Sequence, residues 1–133
     1  MAARSGVSQV YSLTRNRWIL DGSVTGGGAA ANCTGVKGTA IASVNYNAAT
    51  GKYLITLKDA WAGFLGMNLS FEGGTRQFTW AIDSEAVATT KTIAIRIFAS
   101  ASGVAPALAD LLSTEVMNIQ VYVTNSVQSP KPY

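Results

Sequence analysis

Apolar and polar side chains alternate along four stretches of this chain, and a period of two is the mark of a strand with one face buried. Tyr53, Ile55 and Leu57 oppose Leu54, Thr56 and Lys58. Phe78, Trp80 and Ile82 alternate through residues 77–83, and Ile93, Ile95 and Ile97 stand against Ala94, Arg96 and Phe98 through residues 92–99. Met117, Ile119, Val121 and Val123 alternate with Asn118, Gln120, Tyr122 and Thr124 in a long last strand. Such alternation belongs to antiparallel sheets, which keep one face on a core and one toward water.

The remaining elements follow from strand-forming residues and from the breakers between them. Residues 18–24 are rich in aromatic and β-branched side chains and run into Gly26-Gly27-Gly28, where a strand is costly to continue. Residues 29–35 are small and read as a connection. Residues 36–46 and 52–58 flank the polar turn Asn47-Ala48-Ala49-Thr50-Gly51 and predict a β-hairpin. Residues 59–64 break the alternation, predicting a tight corner whose Trp61 and Phe64 plug one end of the core; residues 67–71 then form a short strand. A turn is expected over 85–90. Residues 100–113 read as a loop with room for one helical turn around Leu108, Leu111 and Leu112. The total is about seven strands, which predicts an all-β domain, an antiparallel β-sandwich or a jelly-roll-like barrel, over residues 18–127. Residues 1–17 lack both periodicities and read as an extended N-terminal arm, and residues 128–133 as a C-terminal tail.

Composition narrows the function classes. Of 133 residues, 48% are hydrophobic and only 13% charged, so a free monomer has little charge with which to cover itself, and self-association is expected. There is no His and one Cys, Cys33, which excludes the commonest general base, an intrachain disulfide and a thiolate zinc cage. Removing Arg4, Arg15 and Arg17 from the net charge of +3 leaves seven Lys/Arg against seven Asp/Glu, so the excess lies in the first seventeen residues. Three spaced arginines are too few to neutralise a run of phosphates, so nucleic acid is not the expected partner. An arm that docks on an acidic protein surface is, with Arg4, Arg15 and Arg17 as charges and Val7, Val10, Tyr11 and Leu13 as apolar anchors. No apolar run approaches the length of a membrane span, and the first residues do not read as a signal peptide.

Three features are candidates for chemistry. Gly35-Val36-Lys37-Gly38-Thr39 superficially resembles a phosphate loop, but Lys37 is followed by Gly and a strand where a phosphate loop requires Ser/Thr and a helix. Asp83 and Glu85 share a strand face only if the strand runs that far, and no cleft accompanies them, so they read as solvated strand-end charges. The aromatic set Trp18, Tyr46, Tyr53, Trp61, Phe64, Phe78 and Trp80 occupies the same alternating positions as Ile and Leu, which places most of it in the core. The Asn-x-Ser/Thr sequons at Asn32 and Asn68 carry no weight without a secretion signal. Catalysis is not expected.

Four strings in order, Leu20-Asp21-Gly22-Ser23-Val24, then Thr34-Gly35-Val36-Lys37-Gly38 with Ile41-Ala42-Ser43-Val44, then Thr50-Gly51-Lys52-Tyr53-Leu54-Ile55-Thr56-Leu57-Lys58-Asp59, then Val121-Tyr122-Val123-Thr124-Asn125-Ser126-Val127, resemble the small β-structured virion proteins of tailed bacteriophages, often capsid decoration or cement proteins. The first loop, with Gly26-Gly27-Gly28-Ala29-Ala30-Ala31, departs from that pattern. The resemblance implies a homotrimer on the capsid outer surface, at or near three-fold positions, bound to the major capsid protein, with no cofactor and no turnover. The alternative is a tail-fibre or lectin-like module that uses the aromatic residues on a glycan.

Overall fold

The alternating stretches become strands in the computed structural model, which describes residues 7–9, 17–100 and 107–124. In chain order these are β1 (Val7–Gln9), β2 (Arg17–Thr25), β3 (Thr34–Lys37), β4 (Ile41–Asn47), β5 (Lys52–Leu57), β6 (Gly63–Glu72), β7 (Gln77–Ala86), β8 (Thr92–Ser100), β9 (Ala107–Leu108) and β10 (Val116–Thr124). One sheet has the order β1-β2-β10-β6, with β3 also paired to β2; the other has the order β4-β5-β8-β7, with β9 paired to β8. All pairs are antiparallel. The two sheets pack face to face, so the fold is an all-β sandwich.

The apolar phases of β2, β5, β8 and β10 point between the sheets. Tyr53, Ile55 and Leu57 from β5 and Ile93, Ile95 and Ile97 from β8 meet Leu20 and Val24 from β2 and Met117, Ile119, Val121 and Val123 from β10, all buried. The pairing order β4-β5-β8-β7 against β6-β10-β2 is that of a constant-type immunoglobulin sandwich whose last strand has moved to the front of the chain. This shift has a spatial consequence. Arg17 faces Thr124 across the β2/β10 ladder, so the segments before β2 and after β10 join the sandwich at the same end.

Several expectations need correction. Residues 36–46 are not one hairpin arm, because β3 pairs with β2 and β4 pairs with β5 in the opposite sheet. The chain changes sheets at Gly38, whose φ of 86° favours glycine; a Cβ there would lie 2.8 Å from the Asp21 carbonyl oxygen. The strand expected at 67–71 runs from Gly63 to Glu72, so Phe64 is a strand residue and Trp61 alone keeps the end-plug role, its ring centroid 6.1 Å from that of Trp18. β7 continues through Glu85 to Ala86, which shortens the expected turn. No helical turn forms among the described residues of 100–113; β9 lies along Phe98 and Ala99, and Leu111 is buried. Within residues 1–17, read as an extended arm, Val7–Gln9 pairs with Trp18–Leu20, while Arg4, Val10, Tyr11, Leu13, Arg15 and the tail at 128–133 lie outside the described residues.

Candidate functional site

At the end of the sandwich away from Arg17, four connections converge: residues 26–33, 48–51, 73–76 and 109–115. Glu115, at the foot of β10, is the one buried charged residue among those described, with 1% of its surface exposed. Arg76 reaches it from the β6–β7 connection as a two-pronged donor: Nε donates to Oε2 at 2.8 Å and Nη2 donates to Oε1. Nη2 also donates to the Asp110 carbonyl at 2.6 Å, and the Leu112 N–H donates to Glu115 Oε1 at 2.7 Å. Burial pushes the Glu115 carboxyl up, and the Arg76 hydrogen bonds, the Leu112 N–H and the guanidinium charge outweigh it, holding the group below the ordinary Glu range.

Local sequence explains why the arginine can approach. A Cβ on Gly73, whose φ is 89°, would lie 2.3 Å from the Thr114 carbonyl oxygen, and one on Gly74 would lie 2.8 Å from Glu115 Oε2. Only glycines let this connection cross the 109–115 segment so closely. Arg76 also lies over the Phe78 ring at 5.3 Å, and Phe78 stacks on Phe71 with centroids 4.5 Å apart.

The rest of the cluster ties this end together. The Asp110 carboxylate accepts the Ala30 N–H at 2.8 Å and pushes the Tyr46 hydroxyl up through a side-chain hydrogen bond. The Tyr53 hydroxyl accepts the Leu111 N–H at 2.6 Å, and burial raises its pKa. Asn32 Oδ1 accepts the Tyr46 N–H at 2.8 Å. Burial pushes the Cys33 thiol up to about 11, so it stays protonated at neutral pH. These groups clamp loops to one another: the Glu115 oxygens are filled by donors from Arg76 and Leu112, an arrangement suited to fixing geometry and unsuited to taking a substrate proton.

The residues singled out in the sequence are dispersed. Asp83 and Glu85 do lie on one strand, but a register shift between Ile82 and Ser84 separates their roles. Asp83 binds Lys52 at 2.8 Å and faces Arg96 at 3.7 Å, and the Lys52 hydrogen bond holds its carboxyl below the usual range; Glu85 Oε2 accepts the Val87 N–H at 3.1 Å. Within the aromatic set Trp18, Tyr53 and Trp61 are buried, while Tyr46, Phe64, Phe78 and Trp80 pack partly buried against the core. Gly26, Gly27 and Gly28 belong to the connection between β2 and β3, Gly35 to Lys37 lie within β3, and Gly38 begins the bend to β4. Of the arm residues, Val7 lies in β1 and Arg17 opens β2 with its side chain exposed.

Sequence reasoning missed the cluster of Arg76, Asp110 and Glu115. One signal was available: Glu115 is a single carboxylate between Leu111-Leu112 and the apolar run from Met117, at a place where a strand is about to be buried. Its partner stands 39 residues away, beyond the reach of local pattern. Among the described residues, no three His, Cys, Asp or Glu side chains converge as metal ligands, and no helix is long and apolar enough to cross a membrane. No protein family, no curated protein and no solved structure matches this chain.

Proposed function

We propose that this chain is a structural virion protein that decorates the capsid of a tailed bacteriophage and cements it by binding the outer surface of the major capsid protein, without turnover. The supporting observation is the division of the molecule into a clamped, charge-poor sandwich and cationic chain ends. The sandwich is held at one end by the Arg76–Glu115 clamp, whereas residues 1–17 carry three arginines and no acid and enter it at the opposite end through Arg17. A clamped sandwich suits binding, because preorganisation lowers the entropy lost on docking.

Self-association as a homotrimer is part of the same reading. β6 and β7 are ten-residue edge strands of their respective sheets, with no Lys, Arg or Pro and with their carboxylates, Glu72, Asp83 and Glu85, confined to one part of each strand. Leu65 and Ile82 are exposed along them. Pairing between copies would cover these edges, and cyclic closure would do so without fibre growth. Light scattering at micromolar concentration should report three times the chain mass, and Leu65→Lys with Ile82→Lys should shift it toward one.

The functional test is mass spectrometry and cryo-electron microscopy of purified particles. The chain should appear in a constant ratio to the major capsid protein, on the outer surface. Deleting residues 2–15 would also remove β1, so the cleaner arm variant is Arg4→Ala, Arg15→Ala and Arg17→Ala together. It should leave the unfolding midpoint unchanged and weaken decoration about tenfold or more at low salt, with a smaller difference at high salt. Confinement of the chain to tails, or its absence from particles, would overturn the proposal.

A further inference from the structure

Charge pairing divides the sandwich along its length. Seven cations lie among the described residues 17–124, and three of them have carboxylate partners: Lys52 and Arg96 with Asp83, and Arg76 with Glu115. The four without an ion pair among the described residues are Arg17, Lys37, Lys58 and Lys91. Arg17 opens β2, Lys58 begins the 58–62 corner and Lys91 ends the β7–β8 turn, all at the end opposite the Arg76–Glu115 clamp. Lys37 stands apart from them, opposite Ser23 and so nearer the clamped end of β2.

Backbone hydrogen bonds join these positions into one surface. The Lys58 N–H donates to the Ala40 carbonyl at 3.0 Å, and the neighbouring Leu57 N–H donates to the Lys91 carbonyl at 2.7 Å. The Trp61 N–H donates to the Val87 carbonyl at 3.0 Å, and the Ala62 N–H donates to the Thr124 carbonyl at 3.1 Å, opposite Arg17. Lys91 is also one of two non-glycine residues with positive φ, at 65°, where glycine or asparagine is the usual occupant; such retained strain motivates a functional reading of the side chain.

We propose that this end of the sandwich, centred on Lys58 and Lys91 and flanked by Arg17, is the docking surface for an acidic protein surface. The inference deepens the decoration reading by naming the face that meets the capsid and the chemistry it meets there. Charge complementarity favours an acidic partner: Arg17, Lys58 and Lys91 have no carboxylate partner among the described residues, whereas Arg76 and Lys52 at the clamped end are each paired with one. Protein is favoured over nucleic acid because the three cations are interspersed with Asp59 and Glu85, and a phosphate track needs a denser array. The backbone bonds hold the loops in place before contact, which lowers the cost of ordering.

The test compares the full chain with Lys58→Glu/Lys91→Glu, and with Lys52→Gln as a control on a cation placed elsewhere, after checking that all three unfold at similar temperatures. Each is bound to capsids stripped of the protein, to immobilised poly-L-glutamate and to a short duplex DNA, over a range of salt. The double variant should bind capsids and polyglutamate about tenfold or more weakly and lose most of the salt dependence, while Lys52→Gln stays near the unaltered chain. If the unaltered chain decorates capsids and the double variant does so equally well, this inference is overturned while the decoration reading stands. If the unaltered chain does not decorate, that reading fails by itself, and polyglutamate decides: loss confined to the double variant upholds an acidic protein partner, and equal retention overturns it. Tighter binding to duplex DNA than to polyglutamate at the same salt overturns it in favour of nucleic acid.

Discussion

Replacing Arg76 by Ala should destabilise the fold by about 3–5 kcal/mol, because it leaves the Glu115 carboxylate buried without its counter-charge. Glu115 is 1% exposed, and Arg76 supplies both a donor to Oε2 and a second donor to Oε1. Most of the loss comes from stranding the charge, so Arg76→Ala/Glu115→Gln should be more stable than Arg76→Ala alone; Gln keeps an acceptor for the Leu112 N–H and carries no charge. The same pair sets an acid limb in the unaltered protein. The folded-state pKa of Glu115 lies below its ordinary value of 4.5, so its contribution is complete above that pH and is lost as the pH falls through the lower folded value. In Arg76→Ala the depression is gone and burial favours the protonated acid. The stability gap between the two proteins should therefore be widest near neutral pH and narrow below pH 4.5. Chemical denaturation of all three proteins across that range is the measurement, and a gap of constant size would show that the clamp acts through packing and not through charge.

Tyr53 should show a similarly large effect, divided between ring and hydroxyl. The side chain is fully buried, with its ring centroid 4.9 Å from that of Tyr46, and its hydroxyl accepts the Leu111 N–H at 2.6 Å. Tyr53→Phe keeps the ring and strands a buried backbone donor, which costs about 1–3 kcal/mol. Tyr53→Ala also opens a cavity and should cost about 3–5 kcal/mol from the missing ring alone. The two variants should differ in locality. Loss of the hydroxyl should raise amide exchange first at Leu111 and along 109–115, since Tyr53 ties that segment to β5, whereas loss of the ring should lower the protection of β5 and β8 as a whole. Equal protection at Leu111 in Tyr53→Phe and the unaltered chain would show that the hydroxyl does not secure the segment.

The sandwich itself was legible in the chain. Strands β5, β8 and β10 follow from period-two alternation, because a strand between a core and water must place every second side chain inward. The β4–β5 hairpin follows from its polar turn, and of the seven aromatics read mostly as core, Trp18, Tyr53 and Trp61 are buried in it while the other four pack partly buried against it. These features depend on neighbours within a few residues, where local pattern is informative.

What only the tertiary structure decided depends on residues far apart in the chain. Whether residues 36–46 form one strand or two was set by competition between the edge of β2 and the edge of β5, and Gly38 permits either sheet to claim its own part. Asp83 and Glu85 looked like a pair by spacing, yet the register shift after Ile82 gives one to Lys52 and the other to a turn amide. Arg76 and Glu115 carry no mutual signal in sequence and meet because the β6–β7 connection crosses the segment leading into β10. Composition likewise placed a cationic excess in residues 1–17, whereas the gathering of Arg17, Lys58 and Lys91 at one end is a product of strand order. Alternation determines which side of a strand is buried, a one-dimensional property; which strands become neighbours, and so which charges meet, is chosen by burial of the whole core.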